Sequence, residues 1–130
     1  MILNILNILL SIIIYDIWFY ISHVLLHTKY FYKYHREHHL KLIPNFLDTY
    51  KASIIENLVQ GLGIFLPLLF INYNIYQIGL IFIILNIRAI MQHDERCIFI
   101  IGNHHLVHHK YQNCNYGTYW IDYLFNTLRH

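Results

Sequence analysis

Nine histidines, eight of them at helical spacing, constrain this chain of 130 residues more than any other feature. They read His23-x-x-x-His27, then His35-x-x-His38-His39, a single His93, and His105-x-x-His108-His109. On a helix, positions i, i+3 and i+4 share one face, so each cluster projects its rings together. Histidine is the commonest metal ligand among side chains, binding through a neutral ring nitrogen. A structural zinc site needs only four ligands. Nine suit two ions with four or five nitrogens each, and a fold that serves them must bring four separated segments to one place. His104 extends the last cluster as a further candidate ligand, while His130 at the chain end reads as solvated. An all-imidazole set accommodates Zn, Cu, Fe or Ni and does not choose among them.

Composition places that site against a membrane. The chain is 57% apolar and only 12% charged, where a soluble domain carries about 25% charged residues. Residues 2–21 are almost entirely apolar, and twenty residues of helix span about 30 Å, the hydrocarbon core of a bilayer. Asn4, Asn7, Ser11 and Asp16 interrupt the run. No basic segment precedes it and no small-residue cleavage site follows, so it reads as a retained anchor rather than a signal peptide. Asp16 is the costly residue, since an acid in a membrane segment marks a functional site by default. Asp16, Tyr20, His23 and His27 follow at +4, +3 and +4 and share one helical face. A ligand imidazole is therefore the expected partner of Asp16. Two further apolar arms, 58–71 and 75–91, flank the turn signal Asn72-Tyr73-Asn74. As helices they would measure about 21 and 26 Å, short for independent spans. A tilted or re-entrant hairpin fits, with Gly61, Gly63 and Pro67 bending its first arm.

Basic residues fix the orientation. Lys29, Lys33, Arg36, Lys41 and Lys51 lie between the first span and the hairpin; Arg88, Arg96, Lys110 and Arg129 lie at or after its exit. By the positive-inside rule these segments, and every histidine cluster with them, face the cytosol. The expected architecture is one all-α domain over residues 1–130. It has one N-terminal span, a short membrane hairpin and a cytosolic histidine-rich helical cap. The net charge of +2 argues against a nucleic-acid partner. Cys97 and Cys114 are isolated, with no C-x-x-C, and suit a reducing compartment. His35-Arg-Glu-His38 is not H-E-x-x-H, and no P-loop, G-x-S-x-G or G-x-G-x-x-G occurs. Asp94 and Glu95 read as a polar helix end rather than an acid–base pair.

In this order the clusters resemble those of the membrane-bound fatty acid hydroxylase/sterol desaturase superfamily. The resemblance extends to Asp16-x-x-x-Tyr20-x-x-His23, to Asn115-Tyr116-Gly117 after the last cluster, and to the tail from Ile121-Asp122 to Phe125 and Thr127. It covers residues 15–128. His93-Asp94 and His104-His105-x-x-His108-His109 lean toward the sterol C5-desaturase branch. The resemblance implies a cytosol-facing non-haem centre of two iron ions, held by the nine histidines with His104 as an extra candidate. Zinc would substitute in recombinant material. It implies O2 and electrons from a b-type cytochrome or ferredoxin-like donor, and hydroxylation or desaturation of a sterol or fatty acyl C–H bond. In a eukaryote the membrane would be the endoplasmic reticulum. Asp16 would orient an imidazole, and Asn115, Tyr116 and Asp122 would order the segment after the last cluster. The departures are Cys97 where some members carry another histidine, Ile121 in place of a tryptophan, and Ser53-Ile54-Ile55-Glu56, which matches a family segment only loosely. Two rival readings use the same histidines: a non-catalytic membrane metal-binding remnant, and a metal transporter. The first would lack an apolar channel to the metals, and the second would carry its ligands deep inside several spans.

Overall fold

A computed structural model describes residues 2–130, and their side chains from Ile5 onward, which leaves the Asn4 side chain outside it. The described residues form helices and turns with no strand. Helix α1 (Ile2–Leu26) is the apolar run, uninterrupted by Gly or Pro. Its end is satisfied locally: Thr28 donates to the Leu25 carbonyl from both its backbone N–H (3.0 Å) and its hydroxyl (2.7 Å). Helix α2 (Tyr32–His35) is one turn, and a 3-10 turn follows at His38–Leu40.

The hairpin is asymmetric. Helix α3 (Ile54–Leu62) starts where the Ser53 hydroxyl accepts from Glu56 N–H at 3.1 Å. The chain then bends at Gly63 and passes through a 3-10 turn, Leu66–Leu69, with Pro67 near its start. Helix α4 (Ile75–Gln92) begins at a capping box in which Asn74 and Gln77 satisfy each other's backbone N–H groups. So the first arm is short and bent, as expected. The second runs 18 residues, long and apolar enough to cross a membrane, as is 5–26 of α1. Helix α1 packs against α3, the Leu66–Leu69 turn and α4. Gly63 makes one of these approaches: a Cβ there would lie 2.3 Å from Trp18 Cδ1. Trp18 Nε1 donates to the Val59 carbonyl at 2.8 Å and holds the same junction.

The distribution of polarity is that of a membrane protein. Buried apolar side chains are few, among them Tyr20, Leu26, Ile81, Leu85 and Ile121, while histidines, carboxylates and amides fill the interior. Ile5, Leu9, Ile13, Ile17 and Ile21 on α1 are exposed, as are Leu80, Ile83 and Ile87 on α4. A soluble protein rarely exposes so continuous an apolar surface. Hydrocarbon around α1 and α4 accounts for it.

The cap is built of short pieces. Helix α5 (Ile98–Ile101) turns through Gly102, whose φ of +79° favours glycine, into α6 (His104–Tyr111). Helix α6 stops at Gln112 in the left-handed conformation, φ +59°. Helix α7 (Tyr119–Leu124) follows, with Ile121 and Asp122 buried and Tyr119, Trp120 and Tyr123 exposed.

Candidate metal centre

The nine clustered histidines converge as two groups. His23, His27, His35, His39 and His108 form one; His38, His93, His105 and His109 form the other, and in each group the ligand atoms lie within 4.8 Å of one another. The clusters are split between them. His105 and His109, one turn apart on α6, serve the second group, while His108 turns to the first. His35, His38 and His39 do not share one continuous helical face, because the helix breaks after His35; His38 goes to the second group and its neighbour His39 to the first.

Ring nitrogens face one another across each group. The Nε2–Nε2 separations are 3.0 Å for His23–His35, 2.9 Å for His35–His39, 3.1 Å for His39–His108 and 3.1 Å for His108–His27. In the second group His38–His93 and His93–His105 are both 3.1 Å apart. Two nitrogens about 2.1 Å from one ion and a right angle apart would lie about 3.0 Å from each other. The tautomers agree. His23 Nδ1–H donates to the Tyr116 carbonyl (2.5 Å), His108 Nδ1–H to the Cys114 carbonyl (2.6 Å) and His93 Nδ1–H to the Ala89 carbonyl (2.8 Å). A carbonyl only accepts, so each of these rings presents a bare lone pair at Nε2. Both ring nitrogens of His109 are buried, and neither makes a hydrogen bond of good geometry among the described residues. Burial holds His27 down at about 4, and His108 and His109 at about 3, against an ordinary 6.5. The rings are therefore neutral at physiological pH, the state in which imidazole binds metal. Lone pairs aimed at lone pairs in a buried site fit cations.

The segment after α6 holds this arrangement in place. Asp122, fully buried, accepts from Tyr116 N–H (2.9 Å), Gly117 N–H (2.8 Å) and the Thr127 hydroxyl (2.6 Å), and meets His104 Nε2 at 2.8 Å. Asn115, at φ +55°, donates to the His104 and Arg129 carbonyls and accepts from Arg129 N–H. Together they set the Tyr116 carbonyl that orients His23. Gly117 lies against Tyr20, where a Cβ would come within 3.0 Å of the ring. His104 is thus not in either metal group: one residue before His105 it points about 100° around the helix, onto Asp122. His130 is exposed, as expected.

Asp16 does not meet an imidazole. Its carboxylate pairs with Arg88 (2.5 Å) and accepts from Thr118 Oγ1 and Trp120 Nε1, each at 3.3 Å. The helical face was read correctly, for Asp16, Tyr20 and His23 are all buried. What it faces is supplied by α4 and α7. The acidic side chain that does reach the first histidine group is Glu56, 2.8 Å from His35 Nδ1, and burial raises it to about 8. Ser53-x-x-Glu56 has the sequence of a capping box, which hides this role. The cap is half formed: Ser53 holds the Glu56 N–H, and the carboxylate turns to His35 instead. Asp94 is a helix end, as expected: it accepts from Arg96 N–H at 3.0 Å and pairs with its guanidinium.

A cavity of about 330 Å³ opens beneath both groups, between α1, α3 and α4. His23 and His35 of the first group and His38, His93 and His105 of the second border it. Phe19, Ile64, Phe82 and Leu85 form its apolar walls.

Comparison with known proteins places these features in one family. The fatty acid hydroxylase family model matches residues 8–127, which include every histidine of both groups, Asn115 to Gly117 and Asp122. The chain belongs to the fatty acid hydroxylase family. It is 30% identical over 127 aligned residues to the Delta(7)-sterol 5(6)-desaturase ERG3B of Gibberella zeae, covering 88% of this chain and 39% of that protein. The chain therefore spans well under half the length of that relative. No solved structure matches it. In this member of the family, Cys97 is a free, half-buried thiol outside both histidine groups. Ile121, in place of the tryptophan, is fully buried and still leaves Asp122 directed at the Asn115–Gly117 segment.

Proposed function

We propose that this chain is the metal-binding core of a membrane oxidoreductase that hydroxylates or desaturates a C–H bond of a lipid, with a sterol as the favoured class. One observation carries the reading: two adjacent all-imidazole groups border a cavity walled by Phe19, Ile64, Phe82 and Leu85 and set among membrane-crossing helices. The sterol class rests on the printed activity of the relative. The first group would hold one iron ion and the second another. Iron there would supply the activation of O2 and the uptake of electrons from an external b-type cytochrome or ferredoxin-like donor. In desaturation, two adjacent C–H bonds break, a C=C bond forms, and O2 takes two further electrons and two protons to leave as two waters. In hydroxylation, one oxygen atom enters the C–H bond and the other leaves as water, with the same two electrons.

The chain's own residues have definite tasks. Nine histidines hold the ions as neutral rings. The carbonyls of Tyr116, Cys114 and Ala89 fix tautomers, and Glu56 steadies His35. Cavity walls position the lipid and exclude water. The basic surface beside the cap, with Lys29, Lys33, Arg36 and Lys41 all exposed, suits the cytosolic face. A cavity running from the helices to the histidines favours an enzyme over a non-catalytic remnant, and ligands gathered at helix ends disfavour a transporter. The test is turnover by the purified, iron-loaded chain with a Delta(7)-sterol, O2 and a reduced donor. Mass analysis should find a lipid that has lost two hydrogens or gained one oxygen. An unchanged lipid, with both groups loaded and the donor reduced, would refute the proposal.

A further inference from the structure

Helix α7 has two unlike faces. Ile121 and Asp122 are buried against the protein, whereas Tyr119, Trp120, Tyr123 and Leu124 are exposed, and Phe125 just past the helix is exposed with them. Between Lys110 and Arg129 the one charged residue is Asp122, so the outer face carries no charge. An uncharged aromatic and aliphatic face of this kind marks a contact surface.

Contacts with α1 set the level of that face. Trp120 Nε1 and Thr118 Oγ1 donate to Asp16, and the Phe125 ring stacks on Tyr20 with centroids 5.0 Å apart. At 1.5 Å per residue, Asp16 lies about 15 Å and Tyr20 about 9 Å along the axis from Leu26, the last residue of α1. Even with the hydrocarbon boundary drawn at His23, Tyr20 is about 5 Å and Asp16 about 10 Å inside it. At the same level Ile13, Ile17 and Ile21 of α1 are exposed, on the surface that hydrocarbon covers. Helix α7 therefore lies beside a stretch of α1 that is itself in lipid.

Its polar groups suit that level. The Trp120 indole N–H is taken by Asp16. Ile121 and Asp122 N–H donate to the Thr118 carbonyl, Phe125 N–H to the Ile121 carbonyl, and Thr127 and Leu128 N–H to the Asp122 carbonyl. A segment can lie in hydrocarbon where protein satisfies its amides. Tyr and Trp are also the side chains enriched where a bilayer meets water. We propose that α7 is a membrane-inserted element, its outer face set among the acyl chains of the leaflet nearer the histidines. The partner is lipid, because the face is uncharged and continues the lipid-facing level of α1. The inner face carries Asp122, which accepts from Tyr116 N–H, and the Tyr116 carbonyl meets His23. One short helix thus fastens the histidine groups to the bilayer. The inference rests on α1 crossing a membrane and is independent of the reaction.

The experiment is depth-dependent quenching of a fluorophore, NBD, on the full chain in phosphatidylcholine vesicles. The probe is attached at one introduced cysteine in a Cys97→Ser background, Cys114 being buried. Tyr123→Cys reports on α7; its side chain is 78% exposed, so the exchange removes little packing. Leu124→Cys repeats the reading at a second exposed position. Ile17→Cys on α1 is the lipid reference, and Tyr30→Cys, exposed beyond the end of α1, is the water reference. Doxyl-labelled phosphatidylcholine quenches from the acyl chains and iodide quenches from water. The probes at 123 and 124 should lose emission to the doxyl lipid as the probe at 17 does, and be shielded from iodide. The probe at 30 should show the reverse. Iodide quenching at 123 and 124 equal to that at 30 would put α7 in water and overturn the proposal. Shielding from both quenchers would overturn it too, since protein would then cover the face. The reference at 17 separates the failures. Iodide reaching it would refute the span on which the inference rests. A lipid signal at 17 with a water signal at 123 would refute the inference alone.

Discussion

His23 owes its orientation to a backbone carbonyl 93 residues away, and that carbonyl owes its position to Asp122. A single carboxylate thus controls a ring of the first histidine group that it never touches. Asp122→Ala should lower metal affinity about 10- to 100-fold, the usual effect of losing a group that orients a ligand. Dialysis against a graded chelator followed by elemental analysis measures it, and wild-type retention would show that the loop holds itself. Asp16 belongs to a different calculation. Its partner is Arg88, whose side chain is 22% exposed while that of Asp16 is 6% exposed. Asp16→Asn strands a cation in a helix long enough to cross the membrane. It should cost roughly 3 kcal/mol, the low end for breaking a buried pair because Arg88 keeps some solvent. Adding Arg88→Met should restore much of that loss in a thermal unfolding measurement. A double variant no more stable than Asp16→Asn would place the effect elsewhere. The acid was legible in the sequence because a carboxylate in an apolar helix needs a partner. The partner was not, since α1 spacing shows which residues share a face but not what α4 brings against it.

Helix α1 and helix α4 were legible for the same reason: long apolar runs with few interruptions have one economical conformation in hydrocarbon. Helix α3 was harder, since it starts at Ile54, ahead of the apolar run, and ends within it, before Gly63. Gly63 and Gly79 separate two reasons for having glycine. A Cβ at Gly63 would overlap Trp18, which is pinned to Val59, whereas at Gly79 it meets nothing within 4 Å. Gly63→Ala should destabilise by about 1–3 kcal/mol through overpacking. Gly79→Ala should stabilise by about 0.5–1 kcal/mol as a helix-interior exchange. Melting temperatures of the two variants in one detergent check the contrast, and matching shifts would contradict it. The second histidine cluster shows the opposite limit. Its spacing suggested one helical face, yet the chain breaks between His35 and His38. That break sends His38 across to the second group. Helix α6 divides its histidines without a break, His108 to the first group and His105 and His109 to the second, so the two clusters reach the same division by different routes.

At the scale of the whole molecule, the two histidine groups draw on residues at the C-terminal ends of α1 and α4, while the Asn72–Asn74 turn lies at the other end of α4. The nine-histidine set was readable from spacing, because imidazoles at i, i+3 and i+4 have few other uses. Their division into five and four was not, because it depends on helix breaks and on carbonyls from the Asn115–Gly117 region. Orientation is open to direct test. Cys97 is half-buried and Cys114 is buried, so Cys97 is the reporting thiol. A membrane-impermeant maleimide should label it only from the cytosolic face; labelling from the opposite face alone would invert the topology. The central claim is that two ions are bound by the two histidine groups, and metal stoichiometry tests it most directly. Elemental analysis of the purified chain should give close to two ions. His35→Ala with His39→Ala should empty the first group, and His93→Ala with His105→Ala the second, each leaving close to one. A wild-type value of one or none, or a value unchanged in both double variants, would contradict it.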